Sequence, residues 1–196
     1  QVAWFYSAAW PDFTPPLTAE LSENLSTVGS ATDKIKLMSI PYQNYNSDQQ
    51  TSFDDALTRI GKEIPGAPGE GTSAADRQKI VFFVADGVGD SAKSGGCTSP
   101  KGKVNSTRCI EPIDVKYCEI LKNRNIRIAV LYTTYLPLPK NDFWKTWVKP
   151  FDNSIGAKME QCASPGFYFE VSPDEGISDA MNALFHRIVS LPRITS

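Results

Sequence analysis

The sequence predicts an α/β fold with a doubly wound, mostly parallel β-sheet. Short apolar runs typical of strands alternate with longer amphipathic runs typical of helices. Two of the strand candidates are almost continuously apolar, as expected of strands that helices cover on both faces. The length of 196 residues suits one domain, which we predict over residues 1–196.

Five short apolar segments bounded by turn-forming residues are predicted as strands. The two nearly continuous ones are Ile80–Ala85 and Ile126–Tyr132. The other three are Val2–Ser7, Ile35–Ile40 and Phe167–Val171.

Four segments have apolar residues at helical spacing and are predicted as helices. The clearest is Asp174–Ser190, in which acidic residues of the first turn complement the helix dipole. Phe53–Ile64 has an apolar face and is ended by Pro65-Gly66. The remaining two are Leu17–Val28 and Pro112–Asn123.

Two stretches are predicted as loops. Gly66–Arg77 is rich in Gly, Pro and Ser and indicates a surface connection. Asp86–Glu111 has no periodicity and is longer than an ordinary connection, so we expect it to be functional or stapled. Two of the four cysteines lie in it, which favours stapling.

Charge and hydropathy argue against two classes of partner. The net charge of −2 provides no basic field for nucleic acid. No apolar stretch approaches the ~20 residues that cross a bilayer, so we expect no membrane contact by this segment. The chain opens at Gln1, shortly before an apolar run, which indicates a processed product or a fragment.

The four cysteines, Cys97, Cys109, Cys118 and Cys162, predict two disulfides and therefore an exported protein. Their spacing fits no common zinc pattern, although zinc and reduced thiols remain alternatives. Three pairings are possible. Neighbouring parallel strands bring the helix of one strand near the loop that leads into the next, which favours Cys97–Cys109 and Cys118–Cys162 over crossed pairs such as Cys97–Cys118.

Thr51 and Asp86 are the candidate site residues. Asp86 follows a predicted central strand, and open α/β sheets bind ligands beyond the carboxyl ends of their strands. Asp-Gly is also a common turn pair. Thr51 precedes a predicted helix, so an alternative is that Thr51 or Ser52 only caps it, with Asp55 completing a capping box.

A Thr before a helix, followed by an apolar strand that ends in Asp-Gly, resembles two of the three parts of the metal-ion-dependent adhesion site of von Willebrand factor A domains. In that family an Asp-x-Ser-x-Ser loop, a Thr and an Asp hold a divalent cation, usually Mg²⁺. Oxygen ligands suit such a hard cation. The resemblance implies that Thr51 and Asp86 occupy two of these metal-site positions.

The chain also resembles the C-terminal domain of TadG-like proteins, which belong to the bacterial tight-adherence (Tad) pilus system. The segments that carry this resemblance are Asp48–Leu57, Val81–Val88, Ile128–Pro139, Cys162–Gly166 and Glu170–Phe185.

One part of the family pattern is missing, because Asp-x-Ser-x-Ser does not occur in the sequence. The resemblance implies that the chain begins at the family's second strand and lacks the first, central strand and the first helix. A sheet without its central strand leaves buried backbone groups unpaired. We therefore expect a separate N-terminal segment, or another chain, to complete the sheet between Val2–Ser7 and Ile80–Ala85. Mg²⁺ binding would require that segment.

Two functions follow from the resemblance. The first is a non-catalytic protein-binding or scaffolding module of a Tad-type pilus-assembly apparatus, on the periplasmic or outer face of the inner membrane. The second is a secreted or surface adhesin that binds its ligand through the metal site. An enzyme is not expected, because the only histidine, His186, lies on the last predicted helix and no nucleophile elbow or Walker loop occurs.

Overall fold

A computed structural model describes residues 22–33, 51–64, 66–73, 75–99, 104, 107–172 and 176–190. Its central feature is a three-stranded parallel sheet in the order β1 (Ile80–Ala85), β4 (Arg127–Thr133), β5 (Tyr168–Val171). All three agree with predicted strands to within a residue or two. None of the helices in these ranges is long and apolar enough to cross a membrane.

An antiparallel hairpin of β2 (Val88–Ala92) and β3 (Arg108–Pro112) follows β1. The prediction that Asp86–Glu111 has no secondary structure was therefore wrong. The sequence of β2, with Gly, Asp and Ser at its centre, lacks the apolar alternation of a strand. An ion pair between the two strands, and a disulfide from the loop after β2 to β3, hold the hairpin instead.

The described residues contain five α-helices. They are α1 (Leu25–Thr32), α2 (Phe53–Glu63), α3 (Val115–Lys122), α4 (Asp152–Cys162) and α5 (Ile177–Val189), and a π-helical turn (Trp144–Val148) precedes α4.

Side-chain caps explain where three of the helices begin. Ser52 caps α2 by accepting a hydrogen bond from the backbone N–H of Asp55, as one reading of the sequence expected. α3 begins three residues after the predicted start at Pro112, because Asp114 caps it and Pro112 belongs to β3. α1 begins at Leu25, because the Asn24 side chain accepts hydrogen bonds from the first backbone N–H groups of the helix, and the predicted start at Leu17 lies outside the described residues.

α4 was not predicted. Its sequence, DNSIGAKMEQC, contains a glycine and only a weak apolar periodicity. Its apolar residues Ile155 and Met159 are nevertheless fully buried. Tertiary packing therefore outweighs the poor local helix propensity.

The core lies on both faces of β4. Ile128 and Val130 pack with α2, α3 and α4 on one face, whereas Ala129 and Leu131 pack with α5 on the other. All four side chains are completely buried. This confirms a mixed α/β architecture in which helices flank a parallel sheet. The predicted strands Val2–Ser7 and Ile35–Ile40 lie outside the described residues. The position expected for an added strand, between Val2–Ser7 and Ile80–Ala85, is therefore not described either.

Two disulfides join the expected cysteine pairs. Cys97 and Cys109 have Cα atoms 5.4 Å apart and link the loop after β2 to β3. Cys118 and Cys162, with Cα atoms 5.2 Å apart, link α3 to α4. Disulfides form and persist in oxidising compartments, so the two bonds favour a location outside the cytoplasm.

Candidate functional site

Asp86 stands at the carboxyl end of β1, where open α/β sheets bind ligands. Its Oδ1 accepts a hydrogen bond of 3.0 Å from the backbone N–H of Val88. Although Asp86 is exposed, the surrounding protein displaces part of its hydration and raises the pKa of its carboxyl group.

Gly87 fixes the turn that presents Asp86. It has a φ of +76°, and a Cβ placed on it would lie 2.6 Å from Cγ2 of Ile155 in α4. A side chain at this position would meet both a backbone penalty and a steric clash. Glycine is therefore required for β1 to turn into β2 beneath α4.

Thr51 lies beside the hairpin. Its backbone N–H and carbonyl each form a 2.9 Å hydrogen bond with the backbone of Asp90 in β2. It lines a cavity of about 10 Å³ together with Asp54, Lys93 and Glu111, and we call this space the Thr51 cavity. Asp86 is not among the described residues that line it.

A cluster of ion-paired side chains lines the Thr51 cavity. The Lys93 ammonium lies 2.6 Å from Oδ2 of Asp54 and also contacts the carboxylate of Glu111. The Glu111 carboxylate is almost fully buried and accepts further hydrogen bonds from the Thr98 hydroxyl, at 2.9 Å, and the Ser99 N–H, at 3.0 Å. Glu111 thus holds the loop after β2 against β3.

These contacts determine the charge states of the cluster. Burial raises the pKa of Glu111, but the contact with Lys93 and the hydrogen bonds from Ser99 and Thr98 outweigh it, and the net pKa is lowered. Burial lowers the pKa of Lys93, but Asp54 and Glu111 outweigh it, and the net pKa is raised. Both groups are therefore charged at neutral pH.

A second ion pair ties the two strands of the hairpin. The guanidinium of Arg108 in β3 binds both carboxylate oxygens of Asp90 in β2, at 2.8 and 2.6 Å. Such bidentate pairs fix geometry as well as charge. The Asp90 carboxylate is thereby engaged by the protein itself.

Two tyrosines pack together across the neighbouring strands β4 and β5. The rings of Tyr132 in β4 and Tyr168 in β5 stack with centroids 6.4 Å apart, and the Tyr168 hydroxyl donates to Glu170. Burial, followed by the nearby Glu170 carboxylate, raises the pKa of Tyr168. Both phenols are therefore neutral at physiological pH.

The implied Mg²⁺ site can be tested against these side chains. The ion requires near-ideal octahedral oxygen coordination. The parts of the chain that the structure describes contain no group of three or more His, Cys, Asp or Glu placed to hold a metal. The carboxylates of Asp54 and Glu111 near Thr51 are bound to Lys93. The described residues therefore do not form a Mg²⁺ site by themselves.

A second candidate site, which the sequence did not indicate, is an exposed apolar area beside α5. In the described sheet β1 is an edge strand. The side chains of Phe82 and Val84 share the sheet face that α5 partly covers, yet the two residues are 37% and 46% exposed. The continuous apolar sequence of β1 predicted burial on both faces, so this exposure is unexpected.

α5 also carries an exposed apolar side chain. The guanidinium of Arg187 lies 5.8 Å from the ring centroid of Phe169 in β5. Phe185 is about 160° further round the helix and is 53% exposed. We call the area formed by Phe82, Val84 and Phe185 the β1–α5 surface.

The backbone of β1 also has an outward-facing edge. The N–H of Arg127 in β4 donates to the carbonyl of Lys79, just before β1. Backbone groups alternate between the two sides of a strand, so Phe82 and Val84 direct their N–H and C=O groups away from β4.

Comparison of the chain with protein-family models, curated proteins and solved structures found no match.

Proposed function

We propose that this domain is a non-catalytic protein-binding or scaffolding module of a bacterial Tad-type pilus-assembly apparatus. In this proposal it is of the von Willebrand factor A type and lies on the periplasmic or outer face of the inner membrane. The TadG-like segments suggest the apparatus, and the disulfides support export. The single observation that carries protein binding is the exposed β1–α5 surface.

The β1–α5 surface combines two features of protein interfaces. Exposed large apolar side chains that cluster mark interaction sites. An edge strand offers backbone donors and acceptors to an added strand. We propose that the partner is a separate N-terminal segment, or another chain, whose strand pairs with β1 and whose apolar residues cover Phe82 and Phe185.

Substitution of Val84 by lysine tests this proposal. A charge should prevent docking on the β1–α5 surface, whereas an exposed position tolerates it at a cost of about 0.5–1 kcal/mol in stability. Cells that carry Val84→Lys in the chromosomal gene should therefore produce the protein but few or no pili. Ile120→Lys on α3 is the matched control, since Ile120 is 55% exposed on the opposite face of the sheet. Normal piliation in the Val84→Lys cells would contradict the proposal.

A metal-dependent adhesin is the second candidate function. It is favoured by Asp86, an exposed carboxylate at the ligand-binding edge of the sheet that forms no ion pair with any described residue. In this reading a preceding segment supplies the remaining ligands of a Mg²⁺ ion. A protein that includes this segment should then melt at a higher temperature in Mg²⁺, and Asp86→Ala should abolish that rise.

A further inference from the structure

The Thr51 cavity already contains a cation that belongs to the protein. Of the residues that line the cavity, Asp54 and Glu111 carry carboxylates, and both contact the ammonium of Lys93. The side chains of Lys93 and Glu111 are largely buried, so the positive charge of Lys93 is directed to these carboxylates and not to ions in the solvent. One lysine therefore binds two acidic groups beside Thr51, one of the two residues that the family resemblance assigns to a metal site.

The dimensions of the Thr51 cavity also oppose a divalent ion. A space of about 10 Å³ accommodates roughly one water molecule. Mg²⁺ keeps several of its waters when it binds to proteins, and Ca²⁺ takes six to eight oxygen ligands. A metal ion would have to displace Lys93 and move the hairpin away from α2.

We propose that Lys93 is the built-in cation of the Thr51 cavity and replaces a divalent metal there. Its ammonium joins Asp54 on α2 to Glu111 on β3, and so it fixes the hairpin against α2 without any metal. Removal of the ammonium leaves two neighbouring carboxylates and an enlarged space, which together make a site for Ca²⁺. This inference opposes Thr51 as a metal ligand in the second candidate function and is independent of any partner at the β1–α5 surface.

Melting temperatures of the full chain in EDTA, in millimolar MgCl₂ and in millimolar CaCl₂ test the proposal. The wild-type protein should change by less than about 1 °C among the three conditions, since a ligand at one hundred times its Kd would raise the melting temperature of a domain of this size by about 5–10 °C. Lys93→Ala should melt lower than wild type in EDTA and regain at least half of that loss in CaCl₂.

Two control variants test whether the Ca²⁺ response requires both carboxylates and the loss of Lys93 in particular. The double variant Lys93→Ala/Glu111→Gln should not respond to CaCl₂, because only one of them remains. Lys116→Ala removes an exposed lysine that pairs with Asp114 and should not respond either.

Either of two results would overturn the proposal. One is a rise of the wild-type melting temperature in MgCl₂ that Thr51→Val abolishes. This measurement does not depend on the folding of a lysine variant. The other is a folded Lys93→Ala protein that melts at the same temperature in EDTA and CaCl₂.

Discussion

Glu111 of β3 and Lys93, the residue that follows β2, form an ion pair inside the hairpin, where Glu111 is only 2% exposed. A buried carboxylate requires compensating contacts, and the Thr98 hydroxyl, the Ser99 N–H and Lys93 provide them. The loop that carries Cys97 therefore surrounds Glu111. This arrangement makes the hairpin a defined structure next to the carboxyl end of β1.

The Glu111 contacts predict how stability depends on pH. The pKa of Glu111 is lower in the folded protein than its ordinary value of 4.5. Its contribution is therefore complete above pH 4.5 and is lost as the pH falls through the folded-state pKa. Glu111→Gln should lower the free energy of unfolding at pH 7 by about 1–3 kcal/mol. The difference from wild type should shrink below pH 4.5, as measured by urea unfolding. A difference in unfolding free energy between Glu111→Gln and wild type that stays constant down to pH 3 would contradict the stabilising role of the ionised Glu111 carboxylate.

The turn after Asp86 predicts a large effect of a single methyl group. Gly87→Ala combines a positive φ with the clash against Ile155, and it should cost about 2–4 kcal/mol of unfolding free energy. Gly96→Ala is the matched control, because Gly96 has a similar φ of +84° but open space around it. Gly96→Ala should cost only the strain of a non-glycine residue at positive φ, about 1 kcal/mol. Equal losses in the two variants would show that α4 does not pack against this turn as described.

The two disulfides should contribute unequally. Cys118–Cys162 spans 44 residues and Cys97–Cys109 spans 12. The chain-entropy model assigns them about 4 and about 3 kcal/mol, respectively. Denaturant unfolding of the two double Cys→Ala variants should therefore show the greater loss for Cys118 and Cys162, which also leave a gap in the core between α3 and α4. A greater loss for the hairpin pair would reverse this order.

Sequence reasoning located those elements whose pattern is local. β1 and β4 could be predicted because each is a nearly continuous apolar run, and the N-cap of α2 because Ser52 directly precedes an amphipathic segment. The hairpin could not, because β2 is held by partners on β3, such as Arg108 with Asp90, that are distant in sequence. Likewise, no local pattern connects Lys93 with Glu111.

For the candidate site, the sequence predicted that Asp86 follows β1 but not what surrounds Thr51. Asp86 ends β1 as predicted, while Thr51 pairs with Asp90 and lines a cavity with Lys93. No sequence pattern indicated the β1–α5 surface, since Phe82 and Val84 lie in a continuous apolar run, which predicts burial. Their exposure depends on which strand lies beside β1, and that is a property of the assembled sheet.

Amide hydrogen exchange along β1 tests the central claim, an added strand at the β1–α5 surface, most directly. In the 196-residue chain alone, the amides of Val81 and Phe83 point towards β4 and should be protected, whereas those of Phe82 and Val84 should exchange rapidly. In the protein isolated from assembled pilus complexes, all four should be protected. Slow exchange of Phe82 and Val84 in the chain alone, or fast exchange in the assembled complexes, would contradict the account.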